Sequence, residues 1–492
     1  MDLRQLEGLS LPRQFAFGFA TAGAQNEGGY NGPGQPANNW WDWERNGHAE
    51  PSGIATESWT RYEEDFDAVA ALGCDAYNLS IEWARVRPRA GELDRAAVDR
   101  YVDMLVAARV RGIEPWVCLH HFTHPRWLGL DFWLRAESPR VFADHVRELA
   151  PLLNAGLVAR GQAPVRIWIT STEVNVLALQ TYMAGYFPGA RRPLHVRFRS
   201  TVRSLDNLLA AHILAYDAIH DAHEAATLPA PRVGENSFLF AIYELDRGLT
   251  DLLLARERGV VREDFPAYAR ERKARWIAAV NASFGRERDP LERIMSQISK
   301  LVAPPRLTAA LDALYASPRP RKLDALATDI YHVWLKRRLH LPGALSVGGR
   351  DWSFTRKLWE DPPLPDALGE FCRLLAEDTD LPVWIMENGI CNRVIRGVAY
   401  PRLDGWNRRR YLVEHLAALA RAVMAGVPIE AYLHWTLYDN WEWGSYEPRF
   451  GLYATERPSG ARRPTDSMGE DAAGTYRDAI AALRPRAHAP AA

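Results

Sequence analysis

The stretch LPVWIMENGI, Leu381 to Ile390, sets the reading of the whole chain. Val383, Trp384 and Ile385 do not alternate with polar residues, and a turn signal follows at once, so the pattern predicts a short strand buried on both faces. The strand stops on Glu387, with Asn388 and Gly389 behind it. A single Glu-Asn-Gly triplet is most simply a strand end turning into water. The other reading, that Glu387 serves a ligand, depends on what the other strands carry at the same level.

The same unit recurs on either side of this stretch. Working toward the N-terminus, the short apolar runs are ALATDIYHVW (325–334), VGENSFLFAI (233–242), RIWITSTE (166–173), PWVCLHH (115–121), AYNLSIEW (76–83) and FAFGFATAGA (15–24). Toward the C-terminus lies IEAYLHWTL (429–437). Helical patterns separate them. One is expected from Thr60, with Glu63 as its capping-box partner, apolar positions at Tyr62, Phe66, Val69 and Ala70, and a stop at Gly73. A second starts at Asp94 as N-cap, buries Val98, Tyr101, Val102 and Leu105, and stops at Gly112. A third carries Leu412, Leu416, Leu419, Ala420 and Val423 and ends at Gly426.

Eight strands alternating with helices predict a closed (β/α)8 barrel, because right-handed crossovers repeated eight times bring the last strand beside the first. The expected domain is 12–470, with an Arg-rich helical insertion at 243–321 between strands five and six, either a lid or a side surface. A helix and tail at 471–492 follow, with the Pro/Ala-rich end frayed. No repeat of fixed period is visible.

Composition narrows the function. Sixty Lys and Arg balance 61 Asp and Glu, for a net charge of -1, which gives no reason to expect nucleic acid or an obligate membrane as partner. No uniformly apolar run reaches membrane-spanning length, and the acidic residues Asp2 and Glu7 ahead of FAFGFATAGA argue against a signal peptide. The cysteines Cys74, Cys118, Cys372 and Cys391 show no C-x-x-C spacing, so a disulfide framework is not expected and a cytoplasmic location fits. No histidine pair lies beside a carboxylate as in metal hydrolases, so neither a metal nor a cofactor is expected. Eighteen tryptophans suit the CH faces of sugar rings as well as a large core.

In a closed barrel the C-terminal strand ends form one mouth, where active sites of this fold sit. The polar residues there are Gln25 from strand one, His120 and His121 from strand three, Thr172 and Glu173 from strand four, Asp329 and Tyr331 from strand six, and Glu387 from strand seven. Trp435, Glu442 and Trp443 come from strand eight and the loop behind it. Buried polar groups converging from separate strands are costly unless they serve one another or a ligand. Two carboxyl groups facing each other across a mouth are the equipment for breaking a glycosidic bond.

Six segments in order carry a resemblance: FGFATAGAQNEG, SIEWARVRP, LHHFTHP, WITSTE, MENG and HWTLYDNWEWGSYEPRFGLY. With them the chain resembles glycoside hydrolase family 1, the retaining β-glycosidases, from Phe15 to about Asp466. The resemblance implies Glu387 as nucleophile, Glu173 as acid/base and Tyr331 as the hydroxyl that supports the nucleophile. It also implies Gln25 and His121 on the 3- and 4-hydroxyls of the sugar, Glu442 on the 4- and 6-hydroxyls, and Trp435 with Trp443 as platform. Retention requires the carboxyl groups about 5–5.5 Å apart. Glu173 is expected protonated at rest, raised by the charge of Glu387, and relieved once the sugar esterifies Glu387.

Three positions depart from the family pattern. Thr172 stands where an Asn that binds the 2-hydroxyl is usual, with Val174 in place of the Pro after the acid/base. Asn78 replaces an Arg that supports the ionised nucleophile, and Asp329 replaces an Asn. Loss of the Arg should raise the pKa of Glu387, and the extra carboxylate should favour a cationic group on the substrate. The expected partner is a small-molecule glycoside, of glucoside or galactoside type. The 6-phosphosugar reading is disfavoured, because Glu442 stands in place of the phosphate-binding Ser-Lys-Tyr cluster. Two other readings are transfer of the sugar to an acceptor other than water, and a repurposed, non-catalytic sugar-binding barrel. The aglycone preference is expected to be encoded in the insertion, and oligomeric state is not legible.

Overall fold

Eight parallel strands close on themselves in the computed structural model, which describes residues 3–190, 192–284, 298–300, 303–331, 363–402 and 404–485. The first seven are β1 (Ala16–Ala20), β2 (Ala76–Ser80), β3 (Glu114–Cys118), β4 (Ile167–Thr172), β5 (Arg232–Phe238), β6 (Leu326–Asp329) and β7 (Val383–Asn388). A short hairpin, β8 (Asn392–Ile395) and β9 (Val398–Tyr400), precedes the eighth barrel strand, β10 (Ile429–His434). Each barrel strand pairs with its sequence neighbour, and β10 closes the ring on β1. A two-residue strand, β11 (Pro448–Arg449), pairs antiparallel with β8 above the barrel.

The apolar runs do not alternate because both faces of each strand are covered. On β7, Val383 and Ile385 join the layer between barrel and helices, whereas Trp384 and Met386 fill the barrel interior beside Trp116, Cys118, Ile169 and Leu433. Burying such a side chain contributes about 1.5–3 kcal/mol. The interior is therefore a packed plug, and only the residues at the upper strand ends meet open space.

Helix starts and stops follow the local chemistry. Asp94 accepts a hydrogen bond from the Ala97 amide at 3.0 Å and caps the helix Arg95–Arg109, and Gly112 beyond that helix takes a left-handed φ of 77°. The expected capping box at Thr60 is not formed. That helix runs Ser58–Ala71, its N-cap Glu57 makes no side-chain cap bond, and the Thr60 hydroxyl donates to the Glu57 carbonyl from inside the helix. Strand one is also shorter than expected: it ends at Ala20, and Gln25 lies on a single helical turn, Gly23–Asn26. The final residues of the strand-six run, 332–334, lie outside the described residues, as do 486–492 of the tail.

Three helices of the insertion are described: Arg247–Leu254, Phe265–Phe284 and Thr308–Ala316. They lie along the outside of the barrel. The Arg247 guanidinium, buried, donates to the carbonyls of Leu374, Leu375 and Glu377 at the end of helix Pro365–Ala376, and Phe284 stacks on Phe371 of the same helix. Asp206, on the long helix Leu194–Ala225, accepts from the amides of Ala309 and Ala310. The helix Ala472–Leu483 covers the β1–β10 seam, where Tyr476 packs on Phe19 and Tyr432 and its hydroxyl donates to the Gly18 carbonyl.

Candidate active site

The upper strand ends enclose a cavity of about 410 Å³. Glu173 enters it from the residue just after β4. Its backbone is left-handed, with φ 49° and ψ 54°, and its amide donates to the Asn236 carbonyl on β5 at 2.6 Å. Non-glycine residues rarely hold this conformation, which costs about 1–3 kcal/mol and concentrates where a side chain must be aimed.

Glu387 arrives opposite, on the last turn of β7, and Asn388 and Gly389 behind it hold the strand end in place. Asn388 donates from Nδ2 to the Ile330 carbonyl and accepts from the Tyr432 hydroxyl at 2.7 Å, tying β7 to the strands on both sides. A Cβ on Gly389 would fall 2.2 Å from the Trp435 carbonyl oxygen, so only glycine lets the two strand ends pass.

Carboxyl oxygens of Glu173, Asp329 and Glu387 lie within 4.8 Å of one another, all three residues buried. Two unit charges at that separation repel by about 3 kcal/mol at an effective dielectric constant near 20. Groups this close must share protons or a cation. Among the described residues no Lys, Arg or His forms an ion pair with any of the three. Glu387 instead accepts from the Tyr331 hydroxyl at 2.7 Å, and Tyr331 stacks on Phe238.

Burial raises the Glu173 carboxyl to about 8; the nearby Glu442 pushes in the same direction and Asp329 pulls it down. Glu387 is also raised, by burial first and then by Glu173, with the Tyr331 hydrogen bond working against both. Asp329 is raised well above the ordinary carboxyl range by burial, Glu387 and Glu173. The sequence-based expectation that the charge of Glu387 is what lifts Glu173 therefore needs correction: burial comes first, and it persists when Glu387 is esterified. Both members of the pair are raised, since their shared low-dielectric pocket penalises the charged form of each.

The other side of the cavity is aromatic. His121, Trp435 and Trp443 sit together, His121 being 6.2 Å from the Trp435 ring and 5.6 Å from that of Trp443. Burial holds His121 down to about 3, so its ring is neutral in the working range. Glu442 is raised to about 7 by burial, against hydrogen bonds from Trp435 and from Gln25 Nε2, the latter at 3.2 Å.

Of the residues singled out in the sequence, His121, Glu173, Tyr331, Glu387, Trp435, Glu442 and Trp443 line the cavity. Gln25, Thr172, Asp329 and Asn78 do not. Gln25 acts through Glu442. The Thr172 hydroxyl is engaged with the Cys118 thiol at 3.3 Å. Asp329 is fully buried and held at Oδ2 by Asn236 Nδ2 at 2.7 Å. Neither polar atom of the Asn78 amide has a partner among the described residues. His120, also named, is buried against Trp133 and Phe142.

The described insertion residues, from which the aglycone preference was expected, contribute nothing to the cavity wall. That wall comes instead from Trp40, Phe122, Val176, Phe187 and Ile390. These residues and Asn236 were missed. The signal for Asn236 was present, as a polar residue in the middle of a strand with two buried faces.

The model of glycosyl hydrolase family 1 matches residues 8–259 and 343–469. The chain belongs to this family. Its relatives include beta-glucosidase A of Thermotoga maritima, 26% identical over 473 residues that span 91% of this chain and 94% of that protein. A 6-phospho-beta-galactosidase of Lacticaseibacillus rhamnosus is 24% identical over 479 residues, 92% of this chain and 95% of the relative. Among solved structures, the Thermotoga maritima beta-glucosidase in complex with galacto-hydroximolactam superposes with a TM-score of 0.71 at 20% identity, covering 97% of this chain and 100% of that one. The AHE enzyme of Alicyclobacillus herbarius gives 0.67 at 22% identity, covering 97% and 99%. The family 1 barrel described above is thus shared over the full length of these relatives, and the chain is a glycoside hydrolase. No described helix is long and apolar enough to cross a membrane.

Proposed function

We propose that this family 1 member is a retaining β-glycosidase acting on a β-linked glucoside or galactoside by double displacement. The separation of Glu173 and Glu387 carries the reading. Carboxyl oxygens within 4.8 Å of each other suit a covalent route, for which about 5–5.5 Å between carboxyl groups is usual, better than inversion, which seats a water between groups about 6.5–9.5 Å apart.

In the first step Glu173 gives its proton to the glycosidic oxygen while the Glu387 carboxylate attacks the anomeric carbon, and the aglycone leaves as the alcohol. Glu173, now a carboxylate, then takes a proton from water, whose oxygen displaces Glu387 from the sugar. His121, Trp435, Glu442 and Trp443 hold the ring, with Gln25 orienting Glu442. The carboxylate at Glu442 would repel a phosphate on the 6-position, which favours an unphosphorylated sugar although phosphosugar enzymes are among the relatives. The aromatic wall suits an apolar aglycone, and its exclusion of water supports transfer to an alcohol acceptor as a side reaction.

A panel of aryl β-glycosides tests the proposal against Glu387→Gln and Glu173→Gln. Phenol release by the wild type, about 10²–10⁴-fold faster than by either variant, is expected. Equal release by Glu387→Gln and wild type would contradict it.

A further inference from the structure

Asp329 is the one carboxyl of the trio that the catalytic scheme leaves unused, and its surroundings give it a task. It lies behind the cavity wall, fully buried, so it does not reach a sugar. Asn236 Nδ2 donates to Oδ2 at 2.7 Å, which makes Oδ2 the accepting oxygen. Among the described residues Oδ1 has no amide, hydroxyl or cation to bind. A carboxyl oxygen of Glu173 lies within 4.8 Å of one of Asp329, and a hydrogen bond between the two lowers Glu173 and raises Asp329. Two carboxylates cannot make that bond; a carboxylic acid and a carboxylate can.

We propose that Asp329 is a positioning residue for the acid/base: it keeps a proton on Oδ1 and donates it as a hydrogen bond to Glu173 whenever Glu173 is a carboxylate. This deepens the glycosidase reading and rests on it. In the double-displacement scheme Glu173 and Asp329 each hold a proton at rest, and the one negative charge sits on Glu387, where the Tyr331 hydroxyl donates to it at 2.7 Å against the upward push of burial. When Glu173 protonates the leaving oxygen and Glu387 becomes an ester, the charge passes to Glu173. Asp329 keeps its own proton and stabilises the new carboxylate until water returns a proton to Glu173. The trio carries one negative charge throughout, with no net transfer through Asp329. Such a neutral donor is what a site requires when three buried carboxyls lie within 4.8 Å and, among the described residues, no cation pairs with them.

The groups that face Asp329 are Glu173 beyond β4, Asn236 on β5, Tyr331 beyond β6 and Glu387 on β7, with Glu442 acting on the two glutamates. None is a cation. This reading replaces the expectation that Asp329 favours a cationic substrate.

Asp329→Asn keeps a neutral donor and Asp329→Leu removes it, so comparing the two on aryl β-glucosides separates this role from simple packing. Asp329→Asn is expected to keep kcat within about 3-fold and to leave the alkaline limb of the pH profile in place. Asp329→Leu should lower kcat about 10–100-fold with KM little changed. An alkaline limb displaced to lower pH in Asp329→Asn would mean that a charge had been removed, and would overturn the proposal. Equal kcat in the two variants would do the same.

Infrared difference spectra of wild type minus Asp329→Asn at neutral pH decide the proton without turnover. A neutral-carboxyl C=O band is expected, and a carboxylate band in its place sinks the idea even if Asp329→Leu fails to fold. If no glycoside is cleaved at all, the functional reading fails while the infrared band still tells whether Asp329 holds its proton.

Discussion

At Glu173 the demands of chemistry and of stability pull in opposite directions. A carboxyl held at about 8 by burial retains its proton in the folded chain, whereas the unfolded chain releases it near 4.5. The native state therefore binds more protons than the unfolded state across that window, and stability falls as pH rises through it. Glu173→Gln removes the penalty. Its melting temperature should match that of the wild type below pH 4.5 and exceed it by several degrees at pH 8, as read by calorimetry across the window between those values. A difference that does not change with pH would count against the raised pKa. Placement at the cavity was legible for residues such as Glu387 and Trp435, which line it. It was not for Thr172 and Asp329, because a sequence gives the strand-end level of a residue and not whether a thiol or an amide has already engaged it.

Among the elements, the strand ends do the positioning. The run Glu387-Asn388-Gly389 is one device: a carboxyl that enters the cavity, an amide that clamps β6 and β10, and a glycine that lets β10 approach. Gly389→Ala forces a Cβ against the Trp435 carbonyl, so β7 must shift outward. Misplacement of this size near the reacting atoms is expected to lower kcat about 10–100-fold with far-UV circular dichroism unchanged. Unaltered kcat would show that the close approach is dispensable. Strand positions were legible because apolar runs between turn signals have few alternatives. Helix starts were less so: Thr60 and Glu63 have the spacing of a capping box, yet Glu57, left-handed at φ 59°, begins the helix earlier. The outer position of the insertion was not legible, since its Arg residues fit a lid as well as a flank. The structure resolves this through Arg247, whose guanidinium is spent on the carbonyls at the end of a barrel helix.

Across the whole molecule, the loops above the barrel are held by a buried ion pair. Arg408 and Asp466, both inaccessible to solvent, meet at 2.6 Å, and Arg408 also donates to the carbonyls of Ile390 and Arg449. These contacts join the segment after β7, β11 and the start of helix Arg408–Met424 into one cap beside the strand end that carries Glu387. Asp466→Ala leaves the guanidinium buried and uncompensated, a change that costs about 3–5 kcal/mol. Denaturant titration should show that loss, and a change near zero would mean that the cap is held by something else. Barrel closure followed from counting alternating elements, but this pair did not. Its partners are remote in the chain, and neither position departs from what a surface helix or loop would carry.

The central claim is that Glu387 forms a covalent bond to the sugar and Glu173 is needed to break it. With a dinitrophenyl β-glucoside, whose leaving group needs no proton, the first step proceeds in Glu173→Ala while the second is slowed. Mass spectrometry of that variant after acid quench should find one hexosyl group on the peptide that contains Glu387. Phenol release with no adduct, or with the sugar on another residue, would contradict the account.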